Sequence, residues 1–359
     1  MNPKLKKLIS SFKDNRLDAF LVTKDINIRY LVDFPASESW LLVFPKKIFY
    51  LTDFRYVLEA KEGLKSVTVH RYKKSFGDSI LSLAFSSRVR RIGFDSRHLS
   101  LASYQKLQKI FKERIKLIDT PGIIENQREI KSQHEIKQIR KALKLNLEAY
   151  GFLKSVIKPG VSERQVLRRL EAFVKSRNAE FSFPPIIASG PNSCYPHAHV
   201  TDRKIRNNEP VLVDMGMDTG GFKSDLTRIF FLGKIARPVA KVSQFVKAAQ
   251  EKAIQKIKPG VRASAIDYQA RNYLSKRGLG KFFGHSLGHG VGLEIHEGPS
   301  ISEKSPVVLK EGMVFTVEPA VYLPGKFGIR IEDMVLVTKT GCQVLSRHPK
   351  FDQTLPPST

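Results

Sequence analysis

The first 125 residues alternate between short apolar runs and amphipathic stretches. Residues 18–23, 40–52 and 91–95 are rich in β-branched and aromatic side chains and predict strands. The stretches between them, and the basic stretch at the N-terminus, space their apolar residues as helices do. This alternation predicts an α/β domain over residues 1–125.

A second domain is predicted over residues 126–350. It opens with a helix-start signal, since Ser132 is followed three residues later by Glu135, the spacing of a capping box. The pentapeptide IKPGV then occurs twice, at residues 157–161 and 257–261, each time between two helix-like stretches. The repetition predicts two similar α/β halves, with room for a site between them.

Composition narrows the class of protein. No window approaches the roughly 18 uninterrupted apolar residues of a membrane span. The basic N-terminal stretch also lacks the apolar centre of a signal peptide, so we expect a cytoplasmic protein without a membrane partner.

Two cysteines, Cys194 and Cys342, cannot form a disulfide framework or a thiolate metal site. The polar residues 351–359 predict a flexible tail.

The formal net charge of +27 is the one unusual value in the composition. The basic residues are spread over both predicted domains, and their short clusters carry no nucleic-acid motif. We interpret the charge as a generally basic, solvated surface and do not expect a nucleic-acid partner.

Residues 209–231 predict a β-hairpin that carries two aspartates. A turn centred on Thr219 and Gly220 would place Asp214 directly opposite Asp225. Facing carboxylates repel each other, so this arrangement requires a cation or a shared proton. The alternative is a different strand register in which both side chains are solvated.

Further candidate ligands follow in the second half of the domain. One strand ends at Glu318, and another is predicted to carry Arg330 and Glu332 on one face. A buried glutamate needs a partner, which is either Arg330 or a metal. The glycine-rich segment 284–299 contributes His289. Four carboxylates and one imidazole suit two divalent ions such as Mn, Co, Zn or Fe, which activate water for hydrolysis.

These motifs, taken in order, resemble a known family. They are similar to the pita-bread metallopeptidases, specifically the proline-selective branch of prolidases and Xaa-Pro aminopeptidases, over roughly residues 130–345. The N-terminal domain resembles the creatinase-type domain of that branch. The chain departs from the family at Ala320 and Ser286, where relatives have glycine. The motifs that carry the resemblance are VDMGMDTGGFKSDLTR, GHSLGHGVGLEIHEGP, TVEPAVY and GIRIEDMV.

The resemblance implies two sets of site residues. The metal ligands are Asp214, Asp225, His289, Glu318 and Glu332. The groups that act on the substrate are His197, His285, His296, Glu318 and Arg330. Asp225 and Glu332 are expected to bridge two divalent ions, with manganese as the first choice and Co, Zn or Fe as alternatives. Glu318 is expected to accept and return a proton. His197 is expected to assist the leaving group, and His285 and His296 to hold the substrate.

The resemblance also implies a function. We expect a dinuclear-metal hydrolase, usually a homodimer in the family, that cleaves proline-containing peptides at the bond before proline. A dipeptidase must hold the proline carboxylate with a positive or histidine group, whereas an aminopeptidase leaves that end open. The sequence does not choose between them. Two alternatives are a methionine aminopeptidase and a non-catalytic pita-bread protein that binds RNA or protein.

Overall fold

The structure is a computed structural model that describes residues 2–347. The chain divides into two compact units with the boundary between Arg128 and Glu129. The sequence analysis predicted this boundary after residue 125. The predicted tail, residues 351–359, lies outside the described residues. No helix within residues 2–347 has the length and apolar character needed to cross a membrane.

The first unit is a mixed sheet with helices, as the alternating pattern predicts. Its helices are α1 Pro3–Asp14, α2 Asp25–Val32, α3 Val57–Gly63, α4 Phe76–Ser86, α5 Leu101–Phe111 and α6 Ile123–Arg128. Its strands are β1 Ala19–Val22, β2 Trp40–Val43, β3 Ile48–Thr52, β4 Thr68–Arg71, β5 Arg91–Phe94 and β6 Lys116–Asp119. They form one sheet in the order β4-β3-β2-β1-β5-β6, in which only β2 is antiparallel to its neighbours.

The sequence analysis missed β4 and β6, the two edge strands of this sheet. Both are only half-buried in the middle and exposed at their ends. They therefore lack an apolar run like those that identified β1 and β5. The run predicted over residues 40–52 is divided in the structure into the antiparallel strands β2 and β3.

The second unit carries all of the predicted site residues. Its helices are α7 Gln133–Val156, α8 Glu163–Lys175, α9 Arg237–Gln255 and α10 Ala263–Ser275. Its strands are β7 Glu180–Phe181, β8 Ile186–Ser189, β9 Pro210–Met215, β10 Met217–Thr219, β11 Phe222–Lys223, β12 Leu226–Phe231, β13 Gly288–Gly290, β14 Glu297–Ile301, β15 Val314–Val317, β16 Ala320–Leu323, β17 Phe327–Arg330, β18 Asp333–Val337 and β19 Cys342–Val344. They form sheets ordered β12-β9-β8, β11-β10-β7, β14-β13-β15-β18-β19 and β16-β17.

Helix α7 begins with the predicted capping box. The Ser132 hydroxyl accepts the backbone N–H of Glu135 at 3.3 Å, and the Glu135 carboxylate accepts the backbone N–H of Ser132 at 2.9 Å. Near its other end the buried Tyr150 hydroxyl donates to the carbonyl of Leu226 at 2.6 Å. This contact packs α7 behind β12, directly after Asp225.

The two halves of the second unit repeat one design, as the two IKPGV segments predict. Each segment joins two helices, α7 to α8 and α9 to α10, and its glycine has a positive φ, +88° at Gly160 and +86° at Gly260. The Gly160 N–H donates to Ile205 and the Gly260 N–H to Leu309, both at 2.9 Å. One apolar core joins α7 and α8 to β9 and β12, and another joins α9 and α10 to β15 and β18.

Candidate metal centre

The predicted site residues meet in one cleft of the second unit, with a volume of about 690 Å³. They reach it from β9, β13 and β17, from the turns beside β12, β15 and β18, and from three loops. The predicted residues that line the cleft are His197, Asp214, Asp225, His285, His289, His296, Glu318, Arg330 and Glu332. Residues separated by more than 100 positions are thus brought together.

The two aspartates do not face each other as predicted. Asp214 of β9 pairs with Thr227 of β12, because the turn is formed by Gly220 and Gly221, one residue later than predicted. Both glycines have a positive φ, +60° and +81°, as a tight two-residue hairpin turn requires. The error shifts the register by two residues. Since side chains alternate with a period of two, Asp225 still points into the cleft with Asp214.

His289 lies between two of the carboxylates. Its Nε2 atom is 3.5 Å from Asp225 Oδ2 and 3.3 Å from Glu318 Oε1. The preceding residue must be glycine, since a Cβ atom at Gly288 would lie 1.9 Å from the carbonyl oxygen of Thr316 on β15. The glycine-rich sequence therefore lets β13 approach β15 closely enough to bring His289 beside Glu318.

Glu332 and Arg330 do not share one strand, so that prediction is wrong. Strand β17 ends at Arg330 and β18 begins at Asp333 in another sheet. Between them, the backbone N–H of Glu332 donates to the carbonyl of Thr227 at 3.2 Å, and the Glu332 carboxylate accepts the Thr227 hydroxyl at 2.6 Å. Arg330 forms its ion pair with Asp214 instead. The sequence analysis left Arg330 or a metal as the partner of Glu332. Because Arg330 pairs with Asp214, it is not that partner.

The carboxylates of the centre fit a metal. Asp214 Oδ1, Asp225 Oδ1 and Glu332 Oε1 are buried oxygens that accept no hydrogen bond from the described residues. Such oxygens are costly to bury without a partner. Asp225, His289 and Glu332 also place one ligand atom each within 4.8 Å of one another. Carboxylate oxygens with one imidazole nitrogen are a suitable donor set for a divalent ion.

The pKa values of these carboxylates also indicate that the centre requires positive charge. Burial raises the pKa of Asp225 and of Glu332 well above the ordinary values, and the neighbouring carboxylates raise both pKa values further. Burial would also raise the pKa of Glu318, but the hydrogen bond and the positive charge of His289 outweigh it and hold that pKa below its usual value. Of the four carboxylates in the centre, Glu318 is therefore the one that ionises most readily.

We expect the metal-free protein to lose stability as the pH rises through the raised pKa values of Asp225 and Glu332. The unfolded chain releases these protons near the ordinary values of 3.8 and 4.5, while the folded chain keeps them. The folded state therefore binds more protons above those values, and its stability falls by up to about 1.4 kcal/mol per pH unit for each proton.

Melting temperatures of chelated protein between about pH 5 and pH 8 measure this effect. Glu332→Gln should flatten the profile, whereas Glu311→Gln, at an exposed position, should leave it unchanged. Equal slopes for wild type and Glu332→Gln would contradict this account of the centre.

Three residues that orient the site were missed by the sequence analysis. Thr227 holds Glu332, and Thr316 donates its hydroxyl to Glu318 at 3.0 Å. Thr227 lies two residues after Asp225, and Thr316 lies two residues before Glu318. Residues two apart on a strand point to the same face of the sheet, so this spacing could have predicted that each threonine lies beside its ligand. Tyr322 lies within TVEPAVY, but nothing in the local pattern marked it.

The histidines occupy different surroundings. The ring of His296 packs edge-on against that of His289, with 4.2 Å between the centroids, and His197 is exposed at the edge of the cleft. Both ring nitrogens of His285 have protein partners: Nδ1 is 2.8 Å from the carbonyl oxygen of Ser286 and Nε2 is 3.2 Å from the hydroxyl of Tyr322. Because a carbonyl only accepts, Nδ1 carries the proton and Nε2 accepts the Tyr322 hydroxyl.

Two family models match the chain. Residues 137–339 match metallopeptidase family M24, and residues 4–130 match the creatinase/prolidase N-terminal domain. The chain belongs to metallopeptidase family M24. The matches confirm the resemblance drawn from the motifs, and the family's chemistry implies divalent metal ions.

Relatives of this M24 chain extend over its whole length. It is 35% identical to the Xaa-Pro dipeptidase of Pyrococcus horikoshii, over 97% of each chain. A structure of an Xaa-Pro dipeptidase from Bacillus anthracis has a TM-score of 0.92 at 33% identity, covering 96% of this chain and 97% of that one. A structure of an X-Pro aminopeptidase from Thermotoga maritima has a TM-score of 0.88 at 32% identity, covering 96% and 98%.

Proposed function

We propose that this M24 chain is a metal-dependent peptidase that cleaves the peptide bond before proline. The observation that carries the proposal is the set of buried, unpaired oxygens of Asp214, Asp225 and Glu332 beside His289 in one cleft. The names of the relatives support this function over a methionine aminopeptidase and over a non-catalytic binding protein.

Five residues would hold two divalent ions, manganese before cobalt, zinc or iron. They are Asp214, Asp225, His289, Glu318 and Glu332. Asp225 and Glu332, which are 5% and 2% exposed, would supply the most deeply buried negative charge to these ions. When bound there, such ions would lower the pKa of a water molecule and polarise the scissile carbonyl.

The remaining chemistry falls to protein side chains. Glu318 accepts the proton of the attacking water and returns it to the proline nitrogen. His197 and His296 donate N–H groups to the substrate oxygens as negative charge develops. Arg330 neutralises Asp214 and fixes its second oxygen.

The position of His285 modifies the role implied by the resemblance. With Nδ1 donating to Ser286 and Nε2 accepting from Tyr322, its ring has no free N–H for a substrate. We assign His285 to positioning: it fixes the Tyr322 hydroxyl, which in turn accepts from Arg330.

Selection of proline follows from shape. Apolar side chains, among them Phe183, Pro185 and Ile186, line the cleft that holds the metal ligands and offer a surface for a pyrrolidine ring. The peptide bond before proline also has no N–H group, so a cleft without a hydrogen-bond acceptor beside that nitrogen leaves no polar group unpaired.

The homodimer and the cytoplasmic location of the enzyme remain predictions.

Removing the metal should abolish cleavage of Xaa-Pro peptides, because Glu318 alone neither lowers the pKa of the water nor polarises the scissile carbonyl. The measurement is hydrolysis of Ala-Pro and of Ala-Pro-Ala-Ala before and after exhaustive chelation, followed by addition of Mn or Co. Activity should return with the ions. Full activity in protein shown by elemental analysis to be metal-free would contradict the proposed function.

A further inference from the structure

A buried amide on α9 binds the backbone beside two of the proposed metal ligands. Gln250 is fully buried, and its Nε2 atom donates to the carbonyl of Val317 at 3.0 Å and to that of Ile331 at 3.3 Å. Val317 directly precedes Glu318, and Ile331 directly precedes Glu332. One side chain therefore links the two segments that carry these carboxylates into the cleft.

A further contact fixes the direction in which this amide points. The Oε1 atom of Gln250 accepts the Nζ of Lys247, one turn earlier on α9, at 3.1 Å. The two N–H groups of the amide are therefore left for the two carbonyls. A polar side chain is costly to bury in an apolar core unless it is hydrogen-bonded, so the carbonyls explain why a glutamine stands here. The buried residues near it on α9 are apolar: Val246, Ala249 and Ala253.

The contact lies where the sheet no longer holds the two segments together. The ladder between β15 and β18 ends at the pair of Val317 and Asp333. Glu318 and Glu332 lie just outside this last pair, so the hydrogen bonds of the ladder do not set the separation of the two glutamates. Gln250 joins their segments from a helix, which supports a site more precisely than a loop does.

The first half of the unit has a corresponding contact at the equivalent position. Tyr150 on α7 and Gln250 on α9 each lie seven residues before the isoleucine of an IKPGV segment. The hydroxyl oxygen of the buried Tyr150 lies 2.6 Å from the carbonyl oxygen of Leu226 and 2.9 Å from that of Val213. These two residues are direct chain neighbours of the two aspartate ligands. Each half therefore holds the backbone beside both of its carboxylates with a buried polar side chain of its first helix.

A second amide supports the first half alone. Asn146, also buried on α7, donates from Nδ2 to the carbonyl of Met215 at 2.8 Å and to the hydroxyl of Ser224 at 3.2 Å. Both partners are again direct neighbours of the aspartates. The equivalent position of the second half is the apolar Val246. The second half therefore depends more on Gln250 than the first half does on its tyrosine.

We infer that Gln250 is a positioning residue of the metal centre, whose amide sets the separation of Glu318 and Glu332. Tyr150 does the same for the two aspartates. The inference rests on the proposed function and adds two residues that do not line the cleft but on which metal binding depends. An ion binds more tightly when its ligands are already held in place, so loss of this support weakens its binding.

Gln250→Met tests the inference, because methionine keeps the length of the side chain but has no N–H to donate. We expect the dissociation constant for manganese, measured by equilibrium dialysis of metal-free, full-length protein, to rise by about 10–100-fold. A higher manganese concentration should restore kcat on Ala-Pro-Ala-Ala. The KM should be unchanged, since no contact with the peptide is lost.

Two controls distinguish positioning from a general loss of packing. Gln244→Met makes the same change at an exposed position of α9 and should alter neither the melting temperature nor the manganese affinity. Val246→Ala opens a small cavity in the core beside α9. It should lower the melting temperature and leave the manganese affinity unchanged. If Val246→Ala weakened manganese binding as much as Gln250→Met, loosening of the core would explain the effect and the inference would be wrong.

Tyr150→Phe tests the first half, because it removes the hydroxyl and keeps the ring. Its dissociation constant for manganese should rise by less than that of Gln250→Met, since Asn146 still holds the same strands. Wild-type affinity in folded Gln250→Met, or in Tyr150→Phe, would overturn the inference for that half and leave the proposed function intact. If Gln250→Met does not fold, Tyr150→Phe decides the inference alone. Wild-type protein that binds neither manganese nor cobalt would overturn both the inference and the proposed function.

Discussion

Replacing Glu318 with glutamine should lower kcat for cleavage before proline by at least about 100-fold, with a much smaller change in KM. Glutamine keeps the size of the side chain, an oxygen for the metal and an acceptor for the Thr316 hydroxyl, which lies 3.0 Å from Glu318 Oε1. It removes the carboxylate that we propose accepts the proton of the attacking water. A proton transfer made only in the transition state affects kcat and leaves ground-state binding largely intact.

The measurement combines steady-state kinetics on Ala-Pro-Ala-Ala with the metal content of each variant. The control is Glu311→Gln, the same change at an exposed position before β15, and it should behave as wild type. If Glu318→Gln with full metal content retains kcat within a few-fold of wild type, Glu318 is not the proton acceptor. If metal is lost, the pH profile of the reloaded variant distinguishes a ligand from a base.

Local patterns predicted the parts of this fold that local chemistry determines. The capping box at Ser132 acts over three residues and correctly predicted the start of α7. The repeated IKPGV segments correctly predicted two similar halves. The apolar runs identified the buried strands of the first unit for the same reason. Strands β4 and β6 lie at the two edges of the sheet and are exposed at both ends, so they lack such runs.

The site could be predicted as a set of residues but not as a geometry. The motifs named Asp214, Asp225 and Glu332, and all three line the cleft. The predicted hairpin register was wrong because it centred the turn on Thr219 and Gly220, whereas Gly220 and Gly221 are the pair that takes a positive φ at both central positions. The division of one apolar run into β17 and β18 failed for a similar reason, since the carbonyl of Thr227, about 100 residues away, binds the N–H of Glu332.

Behind the centre, a buried ion pair joins β12 and β18, the strands that directly follow Asp225 and Glu332. Arg228 of β12 donates to Asp333 of β18 at 2.7 Å, to the carbonyl of Thr227 at 3.1 Å and to the carbonyl of Glu332. Burial would raise the pKa of Asp333, but the charges of Arg228 and Lys247 outweigh it and keep that pKa below its usual value. Arg228 thereby fixes the backbone of Glu332, a proposed metal ligand, against β12.

Arg228→Met should lower the free energy of opening of β12 and β18 by about 3–5 kcal/mol, because it leaves Asp333 ionised and buried without its arginine. Native-state hydrogen exchange of the metal-free protein reports this quantity strand by strand, which suits a chain of two units. Metal affinity should fall as well, since Glu332 loses its support.

Two further variants separate the unpaired charge from the loss of packing. Asp333→Leu added to Arg228→Met removes the orphaned carboxylate and should recover most of the protection, as apolar replacements of buried ion pairs often do. Arg164→Met breaks an exposed pair with Asp202 and should change little, because exposed pairs are screened by water. If the double variant exchanged as fast as Arg228→Met, the unpaired Asp333 would not be the cause, and the contacts of Arg228 with the two carbonyls would have to carry the stability.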